Sequence, residues 1–272
     1  MKERWGEYPR SIMSFPKIND DLRKVCNLVN HDEELRPAKG SLRFGETPLT
    51  LHQMNPEQAL FALDYYTTPG DLVCDPMNGR GTTAITALYL QRRFVGWEIN
   101  PTSHQKTKEV LTNNIDASTD DWSLHLGCGC AMKEMEDQAE VIDAVFTSPP
   151  YYGSPETYNS IPDDLCNMEM DSFMEKIDQL FSNLTRLIKK SDYKSKLIKP
   201  IIMVLGTCRD QQNGILDMTY DFQAIAKKHG LTHWDTLHTE HHNPHLWTSA
   251  QRNHGMKYVC KTHETQTVWV KF

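Results

Sequence analysis

Ser148, Pro149, Pro150, Tyr151 and Tyr152 follow directly on the apolar run 141–146. Two consecutive prolines at the carboxyl end of a strand fix the backbone and leave carbonyls without neighbouring N–H donors. With the Ser148 hydroxyl as a further acceptor and Tyr151 as a stacking face, the segment suits a planar heterocycle carrying an exocyclic amine. Stacking of that kind contributes ~1–3 kcal/mol per base. A second cluster runs Asp75-Pro76-Met77-Asn78-Gly79-Arg80-Gly81-Thr82-Thr83. Its glycines allow close backbone approach to a ligand, and the helix expected after them offers unpaired N–H groups. A phosphate-cradling P-loop needs a Lys after its last glycine, and this segment has none. Glu98, about twenty residues beyond the glycines, ends the next apolar run. An acid there can accept two ribose hydroxyls, each charge-assisted bond contributing roughly 1.5–3 kcal/mol.

For these residues to converge, strands must deliver them to one edge of a sheet. From Leu72 onward, short β-branched runs alternate with helix-like segments, the pattern of crossovers feeding a mostly parallel sheet. Strands are expected over 72–74, 94–99, 122–126 and 141–147, with helices over 82–91, 102–113 and 131–138 between them. The clearest helix spans about 168–190, where Phe173, Ile177, Leu180, Phe181, Leu184 and Leu187 step by three and four. A strand over 197–206 contains Pro200, which predicts an edge or a bulge. A helix over 217–229 and strands over 231–237 and 267–272 complete the pattern, the last two expected to pair antiparallel. Asn55 is placed to cap a helix beginning with Pro56. Residues 1–46 mix Pro, charge and isolated apolar residues, and are expected to form an arm packed on a single domain over 47–272.

The 272 residues carry 29 Lys plus Arg against 36 Asp plus Glu, a net of −7, with 39% apolar. Those values fit a folded domain and disfavour fibre, disorder or a membrane span. No apolar run approaches the ~18 residues of a spanning helix. Met1 to Arg10 lacks the apolar core of a signal peptide, so a cytoplasmic location is expected. The seven cysteines include no CxxC pair and read as reduced thiols, not as a disulfide framework or zinc ribbon. Residues 183–272 hold 13 basic against 7 acidic residues, a net of +6. Lys189, Lys190, Lys194, Lys196, Lys199, Arg252 and Lys257 are therefore candidate contacts to a polyanion.

The segment Asp75 to Thr83 resembles the DPFxGxGTT motif, and Thr147 to Tyr152 the TSPPY motif, of the amino-directed DNA methyltransferases that use S-adenosylmethionine. Arg93 to Pro101 is similar to that family's RRFIGIEINP stretch, and Thr262 to Phe272 to its closing THE-rich strand; the likeness covers roughly 47–272. It implies a Rossmann-like methyltransferase fold of the α/β class, a mostly parallel sheet flanked by helices with an antiparallel C-terminal strand. It assigns Asp75, Pro76, Asn78, Gly79, Gly81 and Thr82 to the cofactor, with Glu98 on its ribose and Asn100 beside it. It assigns Ser148, Pro149, Pro150 and Tyr151 to the flipped target base. Thr50, His52, Asn55 and Pro56 stand where the family places another cofactor-side segment. Cys128 falls where the family has an acid that binds the cofactor's adenine, so that contact must be backbone, water or another side chain.

Within the family, Ser at the first position of the proline loop goes with cytosine N4, and Asp or Asn with adenine N6, so the resemblance favours cytosine. Two acceptors that pull the amine hydrogens out of plane would localise its lone pair for direct attack on the sulfonium methyl. No covalent intermediate is expected, because the chain contains no Pro-Cys dipeptide. The base must be extruded from a duplex or presented in a single strand. Adenine N6 and a guanine amine in RNA are alternative targets, and a non-catalytic cofactor- or nucleic-acid-binding module is the alternative of another class. The run containing His238, His241, His242 and His245 reads as a polar loop, with no metal expected. Tyr152, His242, Asn243 and Arg252 are candidate substrate contacts, and a short target-recognition region is expected near 238–262. DNA is the expected partner, with a restriction endonuclease as a possible second one; oligomeric state is left open.

Overall fold

The computed structural model describes residues 12–13, 20–30, 54–150, 152, 161–210, 214–240 and 263–272. Strands β1 (Ile12–Met13), β2 (Leu72–Asp75), β3 (Arg93–Glu98), β4 (Trp122–Leu126), β5 (Ala144–Thr147), β6 (Pro200–Leu205), β9 (Thr232–Glu240) and β10 (His263–Val270) form one sheet in the order β1-β9-β10-β6-β5-β2-β3-β4. Among the described residues β10 alone runs against the other strands of this sheet. The pair β7 (Thr207–Asp210) and β8 (Gly214–Asp217) forms a separate antiparallel ribbon. This is the Rossmann-like methyltransferase architecture, a mostly parallel sheet with an antiparallel C-terminal strand.

Alternation along each strand divides the core into two layers. Cys74, Val95, Trp97, Val145, Ile201, Met203 and Trp269 face α5 (Met170–Leu187) and α6 (Thr219–Lys228). Their strand neighbours Val73, Phe94, Phe146, Ile202, Val204 and Val268 face the opposite layer. That layer holds α1 (Asp20–Asn30), α2 (Pro56–Tyr66), α3 (Thr82–Tyr89) and α4 (Pro101–Asn114). Asn55 caps α2, its side chain accepting from the Glu57 N–H at 3.1 Å. Within the segment read as an arm, α1 buries Leu22, Cys26 and Val29 against this layer, and Arg23 ion-pairs with the buried Glu57.

Three expectations are corrected. Residues 131–138 form no helix beyond the 3-10 turn Lys133–Met135, because Met132 takes a left-handed φ of 45° that interrupts the run. The strand bearing Pro200 is not at an edge: β6 pairs with β5 on one side and β10 on the other. Pro200 is tolerated because it is the strand's first residue and β5 pairs only from Ile201 onward.

The third correction concerns the lysines of 189–199. That segment joins the end of α5 to the start of β6, which puts it at the amino edge of the parallel strands. Lys189 and Lys199 donate there to Asp143 Oδ1 at 2.7 and 2.8 Å, while Asp143 Oδ2 accepts from the Leu72 N–H at 2.9 Å. These two cations stitch helix, loop and strand together and do not face a ligand at the opposite edge. No helix among the described residues is long and apolar enough to cross a membrane.

Candidate active site

The carboxyl ends of β2 and β5 lie side by side. From β2 the chain winds outward through β3 and β4, then returns across β2 to lay down β5 on its other flank. Ligands of wound α/β sheets bind in the crevice that such a reversal opens. Thr147, the last residue of β5, donates its hydroxyl to Asp75 Oδ1 at 2.7 Å, and Asp75 is the last residue of β2. The same carboxylate oxygen accepts from the Met77 N–H at 3.0 Å. Burial pushes the Asp75 acid up to about 6, with the hydrogen bonds from Thr83, Thr147 and Met77 opposing it.

Beyond Asp75 the chain makes the glycine turn. Gly81 takes a left-handed φ of 77° and stands at the N-cap of α3; a β-carbon there would lie 2.6 Å from Thr107. Gly79 is left-handed as well, at φ 54°, and a β-carbon on it would meet nothing nearer than 4.0 Å, so the space above it is open. Thr82, buried, begins α3, whose first N–H groups rise beside this opening. The Asn78 N–H donates to the Trp97 carbonyl at 2.8 Å, tying the turn to β3. Asn78 is only 4% exposed, and neither atom of its side-chain amide has a partner among the described residues. A buried amide left without partners costs roughly 1–3 kcal/mol, which a ligand bearing both a donor and an acceptor would offset.

Glu98 closes β3 and is 3% exposed. Its two carboxylate oxygens accept from the Gly79 N–H at 2.6 Å and the Asn100 N–H at 2.8 Å. Burial pushes its acid up to about 8 against those two bonds, with the charges of Asp75 and Asp164 adding to the rise. Asp164, itself buried, thus stands within electrostatic reach and was not singled out by sequence; its acceptance from the Cys166 N–H is a local turn contact that no spacing motif announces. Three acids gathered in a low-dielectric crevice favour a cationic ligand. Asn100 uses its side-chain oxygen to cap α4, accepting from Thr102 and Ser103 N–H groups at 2.9 and 3.1 Å.

The loop after β4 forms the third wall. The Gly127 N–H donates to the Glu98 carbonyl at 2.9 Å. Gly129 abuts Pro76 so closely that a β-carbon would lie 1.7 Å from the Pro76 carbonyl oxygen. Gly129 is a site residue that sequence reasoning passed over; the signal was the glycine spacing in Gly127-Cys128-Gly129. Cys128 is partly exposed between these two contacts, so the loop does bring it beside Glu98 and the glycine turn.

On the fourth side, Ser148 leaves β5 partly exposed and donates weakly to the Val204 carbonyl at 3.4 Å. That bond turns the hydroxyl proton toward β6 and leaves the oxygen's lone pairs as acceptors. Pro149 is buried and Pro150 partly exposed. Tyr152 packs edge-on against Phe173 of α5, ring centres 5.6 Å apart, which gives it a partner within the core. Tyr151, His242, Asn243 and Arg252 lie outside the described residues, as do Thr50, His52 and most of the region 238–262.

The chain's similarities agree with this geometry. Residues 47–109, which include the glycine turn and Glu98, match the family described as DNA methylase. No curated protein sequence matches the chain. Among solved structures, a protein assigned as a sarcosine dimethylglycine methyltransferase from Galdieria sulphuraria is 10% identical, with TM-score 0.52 over 79% of this chain and 84% of that one. A geranyl diphosphate methyltransferase in complex with S-adenosylmethionine is 10% identical, with TM-score 0.51 over 80% of this chain and 85% of that one. The 4+2 cyclase SpnF is 9% identical, with TM-score 0.54 over 92% and 93%. At such identities the shared fold does not fix the reaction. The family match and the fold together support S-adenosylmethionine as the cofactor.

Proposed function

We propose that this chain is an S-adenosylmethionine-dependent DNA methyltransferase that methylates an exocyclic base amine, cytosine N4 in preference to adenine N6. The observation that carries the proposal is the Thr147–Asp75 hydrogen bond, which joins the glycine turn and the Ser148-Pro149-Pro150 loop at one reversal of the sheet. Two motifs with different ligand chemistry thereby open onto the same crevice.

The residues present fit the cofactor. Glu98 is placed to accept its ribose hydroxyls, and the unpartnered Asn78 amide offers a donor and an acceptor to its amino-acid end. Gly79 leaves room, and the acids Asp75, Glu98 and Asp164 suit its positive charge. Cys128 and Asn100 border the adenosine side through the Gly127 and Glu98 backbone. When bound, the cofactor supplies an electrophilic sulfonium methyl. Ser148 Oγ and the carbonyl held by the following prolines accept the two amine hydrogens and draw them out of the ring plane, leaving the nitrogen lone pair available for attack. Pro149 and Pro150 keep those acceptors fixed, so little reorganisation accompanies transfer. Tyr151 is assigned to stack on the extruded base.

Mass analysis of nucleosides from DNA and RNA incubated with the protein and methyl-labelled cofactor tests the reading. Labelled N4-methylcytosine is the expected product. Labelled N6-methyladenine would overturn the base assignment, a labelled guanine amine from RNA would overturn DNA as substrate, and no label anywhere would overturn catalysis.

A further inference from the structure

The loop after β4 carries two thiols one residue apart, and the mechanism above uses neither sulfur as a nucleophile. Cys128 and Cys130 hydrogen-bond to each other through their side chains. Cys128 is partly exposed and Cys130 buried, the division expected of a sulfur that meets a reagent first and one that follows. Gly129 between them is seated on the Pro76 carbonyl, which holds this stretch of loop in place. The Lys176 ammonium of α5, paired with Asp163 at 3.0 Å, lies near enough to stabilise negative charge on Cys128. A thiol donor and a cation beside a partly exposed sulfur are the conditions that make a cysteine nucleophilic.

We propose that Cys128 and Cys130 form an exchange site for low-molecular-weight disulfides, with Cys128 the attacking sulfur and Cys130 the resolving one. The Cys128 thiolate attacks one sulfur of the external disulfide, forming a mixed disulfide and expelling one thiolate. Cys130 gives its proton to solvent, attacks the Cys128 sulfur and expels the second thiolate. The two protein thiols are oxidised to a disulfide, and the external disulfide is reduced to two thiols.

The Cys130 hydrogen bond, working against burial, lowers the Cys128 thiol to about 6, whereas Cys130 is raised well above the usual range. Buried Cys26 and Cys74 contrast with this pair, burial pushing the first to about 12 and the second well up. Because Gly127 is bonded to Glu98 and Gly129 abuts Pro76, drawing the two sulfurs together shifts the wall of the crevice. This consequence for cofactor affinity rests on the proposed function; the exchange chemistry does not.

The test treats the folded full chain with oxidised glutathione, blocks remaining thiols with iodoacetamide and maps peptides by mass. The expected Cys128–Cys130 peptide is unlabelled, lighter by two hydrogens and restored by dithiothreitol, and S-adenosylmethionine affinity falls about tenfold or more, a difference of ~1.4 kcal/mol. Cys130→Ala is expected to stop at a stable glutathione adduct on Cys128, and Cys128→Ala to leave Cys130 unmodified. An unmodified Cys128, or an adduct that persists in the wild type, overturns the exchange site. A disulfide with unchanged cofactor affinity overturns its coupling to the crevice. Failure of the reduced protein to bind cofactor would count against the proposed function and leave the mass result to decide the exchange.

Discussion

Thr147 and Asp75, 72 residues apart in the chain, meet at the tips of neighbouring strands with hydroxyl and carboxylate 2.7 Å apart. Removing the hydroxyl strands a buried acid that is already raised to about 6. Thr147→Val is therefore expected to cost ~1–3 kcal/mol in urea unfolding and to slow methyl transfer, while Thr147→Ser keeps most of both. A Thr147→Val protein as stable and active as wild type would show that the bond does not join the two halves of the site.

Gly129→Ala places a methyl group where the Pro76 carbonyl stands, at a built distance of 1.7 Å. Both partners are backbone, so the loop must move. Overpacking of this kind costs about 1–3 kcal/mol, and cofactor affinity should fall more than stability because the displaced segments line the crevice. Equilibrium dialysis beside thermal unfolding measures the two effects.

Glu98 gives the site a pH dependence with a defined sign. Its acid rises from an ordinary 4.5 to about 8 in the folded chain. Between those values the folded state holds a proton that the unfolded chain has released, so unliganded stability falls as pH rises from about 4.5 to 8. Glu98→Gln should flatten that decline and raise Tm above pH 8. Ribose hydroxyls donate to the ionised form, so cofactor binding near pH 7 should release a proton and tighten as pH rises toward about 8. Calorimetry in buffers of different ionisation enthalpy reads the proton directly.

Lys199 anchors the far edge of the sheet through Asp143 at 2.8 Å, with both side chains buried or nearly so. Lys199→Met leaves Asp143 with Lys189 alone and is expected to destabilise by about 3–5 kcal/mol, the usual cost of breaking a buried pair. Cofactor affinity, measured well below the new Tm, should not change. Lost DNA affinity with intact stability would instead restore the phosphate role first expected for this lysine.

The sequence was most readable where the physics is local. The stripe from Phe173 to Leu187 and the alternating runs of β2, β3 and β4 declare their periods, and both ligand motifs were visible because glycine and proline constrain the backbone wherever they stand. What escaped depends on contacts distant in sequence. The lysines at 189 and 199 carry the same composition signal whether solvated or buried against Asp143, which lies 46 and 56 residues away from them. Gly129 announces no purpose until Pro76 is folded against it, and Pro200 reads as an edge residue until its place at the start of an interior strand is known. The α1 helix was missed because only Leu22, Cys26 and Val29 of its 11 residues supply a buried apolar seam.

The division of labour across the Asp75–Thr147 seam is tested most directly by measuring cofactor Kd and single-turnover methyl transfer to DNA in the same Ser148→Ala protein. The account predicts a wild-type Kd with transfer slowed about 100-fold or more, the scale on which loss of one positioned polar group acts. Transfer at the wild-type rate, or loss of cofactor binding together with transfer, would contradict it.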